Sequence, residues 1–473
     1  MIHCITFPPQ HDNTLNDEEP RRPSYSSTYV DTLGRQLEQQ QNNDKKFKGT
    51  LGGVPRAYPM LMSIMQNAIN FQTLQAQKDT CNTALAEHGG RLLATMEQCP
   101  PTEIAVSKEG RITTLEASTS LDGAIDRSVP ISGGTLSAHG RTDPKTGDRI
   151  HVSYRSDAKP YLRLDVFEKG WKLKESIGVD IPTPIFLHDS CITENYVVVM
   201  DLPLTLRTSR MLRDKFPVEY EPDHPARIGL VPRDGHGKSG EAKVIWFDCQ
   251  PGVVLHLCNA WESKDGNTVV IQGLRSEPAA NKCYLEQFVP SYYYEYSIDL
   301  TTGVVTEETL NPQEIVEFPM VNEKYHGQEC SATYCLRTRS VGGPLHVYQL
   351  PRIGATFDSV IKLAAMDAKD HNKGDLIGKF QMPSDWYLVT EPTVVPKHGR
   401  EGEYLLLIAT HVPEGVSWDQ VEKDDNNDAA LVQSKVMIVD GDNLAAGPLY
   451  SATLPHRVPY GLHSGFLHWD HMK

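Results

Sequence analysis

The sequence of 473 residues predicts an all-β fold, either a propeller or another closed sheet. Three observations favour this class. Many short stretches have the alternating or β-branched pattern of strands. A strand–turn–strand pattern recurs, as in RLDVFEKGWKLKES, YSIDLTTGVVTEE and MIVDGDNLAAGPLYSATL. Helical periodicity is nearly absent after Gln77. We therefore expect one β domain over residues 1–473, closed because closure leaves few strand edges unpaired.

The composition excludes several classes of function. The formal net charge is −15 and there is no basic block, which argues against a nucleic-acid partner, because such binding depends on neutralising phosphates. No apolar run approaches the roughly 20 residues that span a bilayer. The nine cysteines form no CxxC pair, which indicates free thiols in a reducing compartment.

The first 77 residues differ from the rest of the chain. A strand-like piece over Ile2–Phe7 is followed by a polar, disordered-looking insert over Gln10–Ser26 and a second strand-like piece near Tyr29. Apolar residues spaced by three and four then predict a helix over 59–77. Its Met-rich face has two interpretations: packing against the core, or contact with a membrane surface or a lipid-like substrate.

After Asp79 the pattern predicts strands in order along the chain. They cover Asn82–Ala86, Arg91–Glu97, His151–Tyr154, Leu162–Val166, Tyr196–Met200, Val244–Phe247, Val253–Leu257, Thr268–Leu274, Tyr292–Asp299, Ala332–Arg337, Leu345–Gln349, Tyr404–His411 and Lys435–Val439.

One stretch, His188–Leu204, places a histidine between two strand signals. The apolar lead-in Ile185–Leu187 precedes His188, and the β-branched run Tyr196–Met200 follows a polar turn. A histidine on such a rigid element is suited to bind a metal if further ligands converge on it.

Four of the eighteen histidines stand out because each lies in or beside an apolar strand or a tight, aromatic-rich turn. They are His139 in LSAHGRTDPKTGD, His188 in FLHDSCITEN, His256 in PGVVLHLCNAWE and His463 in LPHRVPYGLHSGF. They are far apart in the sequence, so they could meet only in a closed fold whose innermost strands face a common axis.

These motifs carry a resemblance to the carotenoid cleavage oxygenases. The motifs, in order, are KDTCNTALAEHGGRLLATMEQCPP, SAHGRTDPKTG, FLHDSCITENYVVVMDLPL, ARIGLVPRDG, VVLHLCNAWE, VEFPMVNEKYHG, TEPTVVPKHGREGEYLLL and LPHRVPYGLHSGF. They extend over nearly the whole chain, which is identified by them as a member of this family.

The resemblance implies a seven-bladed β-propeller with Fe(II) on its axis and a cap of helix and loops. The implied iron ligands are His139, His188, His256 and His463. The carboxylates that hydrogen-bond their outer ring N–H groups would be Glu97, Glu317 and Glu391. This chemistry is consistent, since neutral imidazole suits iron and such carboxylates fix each ring and offset the metal charge.

The implied activity is that of a non-haem iron dioxygenase. It would use O2 to split a conjugated C=C bond of a carotenoid or apocarotenoid into two carbonyl products. Relatives cleave hydroxylated stilbenes, and those commonly have a lysine where this chain has Met96, so a polyene is favoured. An inactive polyene-binding propeller remains an alternative. By the same resemblance, the helix over 59–77 predicts peripheral, monotopic membrane contact.

The resemblance also concerns the ends of the chain. The family has a longer N-terminal segment ending in a motif like WFDGDGMIH, whose tail matches Met1-Ile2-His3. Either the sequence begins at an internal methionine of a longer chain, or the ring is incomplete at the N terminus. The compartment, cytoplasm or plastid, therefore stays unknown.

At the other end, His468 and His471 lie in a polar tail over 467–473 and are expected to be ordinary surface residues.

Overall fold

The computed structural model describes residues 1–7, 23–40, 47, 57–71, 77–125, 135–233, 243–277, 289–339, 349–350, 354–413 and 432–473. In these ranges the chain is nearly all β. The two α-helices are α1 (Leu33–Gln40) and α2 (Ala57–Phe71), and four single-turn or slightly longer 3-10 helices cover Thr208–Arg213, Glu323–Tyr325, Leu444–Ala446 and Trp469–His471. Within the described residues, no helix is long and apolar enough to cross a membrane.

The strands of the first half form a hairpin and three antiparallel sheets of four strands, with one small extra pair. The hairpin is β1 (Ile2–Thr6) with β2 (Ser24–Thr28). The first sheet holds β3 (Ala84–His88), β4 (Arg91–Met96), β5 (Cys99–Val106) and β6 (Ile112–Glu116). The second holds β7 (Gly140–Thr142), β8 (Arg149–Tyr154), β9 (Leu162–Glu168) and β10 (Lys172–Val179). The third holds β11 (Cys191–Ile192), β12 (Tyr196–Asp201), β15 (Arg227–Pro232) and β16 (Ile245–Asp248), with β13 (Leu204–Leu206) and β14 (Val218–Tyr220) paired separately.

The second half adds a four-stranded sheet, a nine-stranded sheet and one short pair. The fourth sheet holds β17 (Val253–Glu262), β18 (Thr268–Ser276), β19 (Ser291–Asp299) and β20 (Val305–Asn311). The nine-stranded sheet holds β21 (Val316–Met320), β22 (Ala332–Thr338), β25 (Phe357–Ala364), β26 (Leu376–Gln381), β27 (Trp386–Leu388), β28 (Thr393–Pro396), β29 (Glu403–His411), β30 (Ser434–Asp440) and β31 (Pro448–Thr453). The short pair is β23 (Gln349–Leu350) with β24 (Gly354–Ala355).

Consecutive sheets share apolar clusters, and these contacts run in a circle. The second, third and fourth sheets share one large apolar cluster, and the fourth and nine-stranded sheets share another. The β1–β2 hairpin lies between the two ends of the chain of sheets. Ile2 packs against the first sheet, whereas Ile5 and Tyr25 pack against a cluster that contains Ile408 of β29 and Val389, the residue after β27. The expected all-β class is confirmed, while the number of blades stays a prediction.

Most predicted strands coincide with observed ones, and two regions differ. The helix predicted over 59–77 begins two residues earlier and is described to Phe71; residues 72–76 lie outside the described ranges, and Gln77 forms a β-bridge. Most of the predicted strand Leu345–Gln349 and most of the polar insert lie outside the described residues as well, but Ser24–Ser26, predicted as part of that insert, belong to β2.

Several observed elements were not predicted, and for three of them the structure gives a physical reason. Helix α1 has a backbone N–H at Gly34 that donates to both carboxylate oxygens of Asp79 at 3.1 Å, a cap from 45 residues away that no local pattern shows. In β25, polar Asp358, Ser359 and Lys362 interrupt the apolar pattern. In β5, the Pro100-Pro101 pair is more typical of a turn than of a strand.

Helix α2 has one packed side and one exposed side, so core packing is confirmed for part of its Met-rich face and membrane contact stays a prediction. Met60 is buried and packs with Ile64 against Met211 of the 3-10 helix. On the opposite side, Tyr58, Leu61, Met65 and Ile69 are exposed.

Candidate metal centre

The four histidines singled out in the sequence are carried by four separate segments. His139 directly precedes β7, His188 precedes β11, and His256 lies within β17, so these three histidines lie in or just before the first strands of three successive sheets. His463 lies in the segment after β31, and its backbone N–H donates to the carbonyl oxygen of Thr83 at 3.1 Å. First strands that face a common centre thereby bring distant residues together.

The four imidazoles form one compact cluster. One ligand atom from each of His139, His188, His256 and His463 lies within 4.8 Å of the others. The Nε2 atoms of His139 and His188 are 3.0 Å apart, and the ring centroids of His139 and His463 are 4.3 Å apart. His139 and His256 are buried, and the side chains of His188 and His463 are 15% and 9% exposed.

Three glutamates contact the outer ring nitrogens of three of these histidines. Glu97, in the turn after β4, lies 2.8 Å from His188 Nδ1. Glu317 in β21 lies 2.6 Å from His256 Nδ1, and Glu391 lies 2.7 Å from His463 Nδ1. Because the Nδ1–H groups of His256 and His463 each donate to a carboxylate, their Nε2 atoms are left as the acceptor atoms of the rings, and Glu97 is placed as an ion-pair partner of His188.

Two of the three carboxylates are themselves fixed by backbone N–H groups. Glu317 Oε2 accepts the N–H of Phe318 at 2.9 Å, and Glu391 Oε1 accepts the N–H of Ser464 at 2.7 Å. The carboxylates of Glu317 and Glu391 therefore have fixed orientations, which in turn hold the orientations of the His256 and His463 rings.

Burial and neighbouring groups shift the pKa values of several histidines and glutamates in the site. Burial, together with the neighbouring His463 and His188, holds the pKa of His139 well below its ordinary range. Burial opposes ionisation of Glu97 and Glu317, but the adjacent His188 and His256 hold the pKa of each carboxyl below its ordinary value. Burial likewise opposes protonation of His188, yet Glu97 raises the pKa of that ring.

Aromatic side chains surround the cluster. Phe186 stacks on His188 at a centroid distance of 5.8 Å with 10° between the ring planes. The Phe318 ring lies 5.5 Å from His256 and 5.3 Å from His463, and Phe357 lies 5.6 Å beyond it. Phe318 has φ 53°, a left-handed backbone that costs a non-glycine residue energy and that is typical of sites where geometry is enforced.

The remaining acids of the same motifs have structural contacts. Glu262 accepts the hydroxyl of Thr193 at 2.6 Å and the backbone N–H of Asn195 at 2.7 Å, so it caps the turn between β11 and β12. Glu194 pairs with Lys145 at the surface. At the C terminus, His471 lies 3.1 Å from Glu87 and His468 accepts the N–H of Asp470, outside the cluster.

The donor set fits a divalent transition metal. Among the described residues, the buried Nε2 of His256 has no hydrogen-bond partner, as is expected of an atom reserved for a ligand. Four imidazoles leave the charge of a divalent ion uncompensated, and the three nearby carboxylates offset it.

Sequence reasoning missed the positions of Phe186 and Phe318 because an apolar residue in a strand gives no sign of which site it borders.

A nearly all-β fold with four clustered imidazoles defines the class of protein: a β-sheet protein with a candidate histidine metal centre. Comparisons with known proteins make this specific. The family described as retinal pigment epithelial membrane protein matches residues 1–468. The chain therefore belongs to this family, the family of the carotenoid cleavage oxygenases.

The relatives agree with this assignment. Carotenoid 9,10(9',10')-cleavage dioxygenase 1 of Phaseolus vulgaris is 28% identical over 458 residues, which are 94% of this chain and 77% of the relative. A solved structure of cobalt-substituted Synechocystis apocarotenoid oxygenase has a TM-score of 0.69 and 21% identity, over 93% of this chain and 83% of that one.

A second solved structure, the Pseudomonas brassicacearum lignostilbene dioxygenase, has a TM-score of 0.66 and 22% identity, over 93% of this chain and 82% of that one. Both structures show that the chain has their propeller-type fold.

Proposed function

We propose that this protein is an Fe(II)-dependent oxygenase that cleaves a conjugated C=C bond of a carotenoid or apocarotenoid with O2, giving two carbonyl products. The observation that carries the proposal is the cluster of His139, His188, His256 and His463, whose ligand atoms lie within 4.8 Å of one another. Family membership supports it, since the similar protein from Phaseolus vulgaris is a carotenoid cleavage dioxygenase.

In this proposal the four histidines hold the iron and the three glutamates hold the histidines. Iron(II) bound there would supply the activation of O2, and the propeller axis would pass through it. His139 stays neutral because burial and the neighbouring rings depress its pKa, so it needs no deprotonation before it binds. Glu97, Glu317 and Glu391 keep their partners' rings in one tautomer and orientation.

The walls of the site favour a hydrophobic substrate. Phe186, Phe318 and Phe357 present ring faces and edges around the imidazoles, with no charge that would select a polar substrate. Met96 packs in a buried cluster with Ile2, Cys81 and Cys99, so that position offers no cation to a phenolate. A polyene therefore fits these residues better than a hydroxylated stilbene.

Purified protein reconstituted with Fe(II) tests the reaction. With a β-apocarotenal we expect stoichiometric iron, O2 consumption and two carbonyl products. Resveratrol in the same assay serves as the comparison, and faster cleavage of resveratrol would favour stilbene cleavage. Folded protein that takes up no iron would instead support a polyene-binding propeller without activity.

We further propose that α2 makes peripheral contact with a membrane. Its exposed side chains Tyr58, Leu61, Met65 and Ile69 lie along one face of the helix, and Leu212 of the adjacent 3-10 helix is 77% exposed. A surface of this kind suits the extraction of an apolar substrate from lipid, since the side chains can enter the headgroup boundary.

Sedimentation with phosphatidylcholine vesicles tests this contact. Replacing Leu61, Met65 and Ile69 by Ser removes about 1.5 kcal/mol or more of apolar burial for each side chain, so partition should weaken at least about a thousandfold. Leu449→Ser, at a residue 61% exposed on β31, is the matched control and should sediment like the unmodified protein. Unmodified protein that stays entirely in the supernatant would contradict the proposal.

A further inference from the structure

A largely buried ion pair lies beside the four imidazoles. Arg141 Nη2 donates to Asp189 Oδ2 at 2.8 Å and to the carbonyl oxygen of Leu257 at 2.9 Å. The same Asp189 oxygen accepts the backbone N–H of Leu257 at 2.9 Å, and its other oxygen accepts the N–H of Ser190 at 2.7 Å. One nitrogen and one oxygen thus join strand β7, the segment just before β11 and strand β17, which belong to three different sheets.

Each member of this cross-link is close in sequence to one candidate ligand. Arg141 is two residues after His139, Asp189 directly follows His188, and Leu257 directly follows His256. The fourth histidine is held elsewhere, by the carbonyl of Thr83 and by Glu391. The pair therefore fixes the relative positions of three segments that the chain itself leaves far apart.

The pair is poorly suited to a role in stability alone. The Arg141 side chain is 16% exposed and that of Asp189 is 3% exposed, so both charges lose most of their hydration. Buried pairs of this kind recover little net stability, but breaking one is costly, and their best attested benefit is to fix register. The pair is also neutral as a whole, so it adds no net charge next to a metal.

We propose that Arg141 and Asp189 are positioning residues that set the mutual placement of the His139, His188 and His256 imidazoles, and with it the affinity and coordination geometry of the metal. This rests on the proposed function in one respect: the four imidazoles must bind a metal. Without the guanidinium, β7 loses its link to β11 and β17, and the three rings lose their common register. Changes in such supporting contacts typically cost 10- to 100-fold in metal affinity.

Titration of the metal-free protein with Co(II), followed by its visible absorption bands, tests the proposal. Arg141→Met and Asp189→Asn should each bind Co(II) about 10- to 100-fold more weakly and with altered bands. Because the two residues act as one unit, the double variant should bind no more weakly than the poorer single variant. Asp189→Asn keeps an acceptor for the Leu257 N–H, so it decides the matter if Arg141→Met does not fold.

The Arg227–Asp201 pair provides the control. Arg227 Nε lies 2.8 Å from Asp201 Oδ2, the same distance as in the Arg141–Asp189 pair, and the Asp201 side chain is fully buried. This pair joins β12 to β15, away from the histidine cluster. Arg227→Met should lower the thermal midpoint and leave the Co(II) affinity and spectrum unchanged. If Arg141→Met behaves like this control, the pair is merely structural and the proposal is wrong. If the unmodified protein binds no Co(II), the metal centre itself is refuted.

Discussion

Gly140 lies beside the metal centre at a position where a single added methyl group would disrupt the packing. It follows His139 and begins β7. A Cβ at this position would lie 2.2 Å from Nε2 and 2.3 Å from Cε1 of His151, where an ordinary contact is about 3.5–4.0 Å. Gly140→Ala therefore requires the His151 ring or strand β7 to move by more than about 1 Å.

His151 cannot move without loss. It is fully buried, its Nδ1 contacts the Ser137 carbonyl at 3.0 Å, and its Nε2 accepts from Arg149 at 3.2 Å. Overpacking typically costs about 1–3 kcal/mol and each lost hydrogen bond about 1 kcal/mol, so the free energy of unfolding should fall by about 3–5 kcal/mol. If β7 moves instead, His139 moves with it and the metal affinity falls.

Chemical unfolding and bound-metal analysis together measure both outcomes. Gly461→Ala is the control, because it lies two residues from His463 and its Cβ would meet nothing nearer than the Val389 carbonyl oxygen at 3.6 Å. We expect Gly461→Ala to resemble the unmodified protein. A Gly140→Ala protein with an unchanged unfolding midpoint and full metal content would refute the argument.

Three further predictions concern the site and its surroundings. His256→Ala should abolish iron retention, measured by metal analysis after desalting. The control variant His371→Ala, at a surface ion pair with Asp370, should retain its iron. Full activity of His256→Ala would contradict the ligand assignment. Glu391→Gln should weaken metal binding about 10- to 100-fold, since the His463 ring loses its charged acceptor. Titration with Co(II) measures this affinity, and an unchanged affinity would show that Glu391 does not support His463. Burial, with Arg141 and Arg149 nearby, lowers the pKa of His326 to about 3. Between about pH 6.5 and pH 3, His326 therefore binds a proton in the unfolded chain but stays neutral in the folded protein. This contribution makes stability fall as the pH falls from about 6.5 towards 3, by up to about 1.4 kcal/mol per pH unit. His326→Asn should therefore lose roughly 1 kcal/mol less between pH 6.5 and 5.5 in unfolding titrations, and an equal loss would show that His326 is not responsible.

Several features of the fold were predictable because they depend on local pattern. Runs of apolar and β-branched residues identified β12, β18 and β19 nearly to their ends and the first half of β17, since a strand that is buried on both faces has a nearly continuous apolar sequence. The helix at α2 was predictable from its spacing of apolar residues. Helix α1 was not, because part of its N-terminal capping comes from Asp79 in a distant segment, beside the local contact from Thr32.

The candidate site divides in the same way. The motifs around His139, His188, His256 and His463 were visible in the sequence, and family resemblance named their glutamate partners. The left-handed backbone of Phe318 and the link from Arg141 to Asp189 were not visible. A contact between residues 48 positions apart has no local signature, and a buried arginine resembles an exposed one in a sequence.

The sequence by itself determined the class of fold, the order of the strands and the residue types able to bind a metal. These follow from side-chain periodicity and from the chemistry of imidazole and carboxylate. Only the tertiary structure decided which side chains meet. The circular packing of the sheets brings their first strands to one centre, and there the four Nε2-bearing rings, three carboxylates and the Arg141–Asp189 pair acquire the distances on which any chemistry depends.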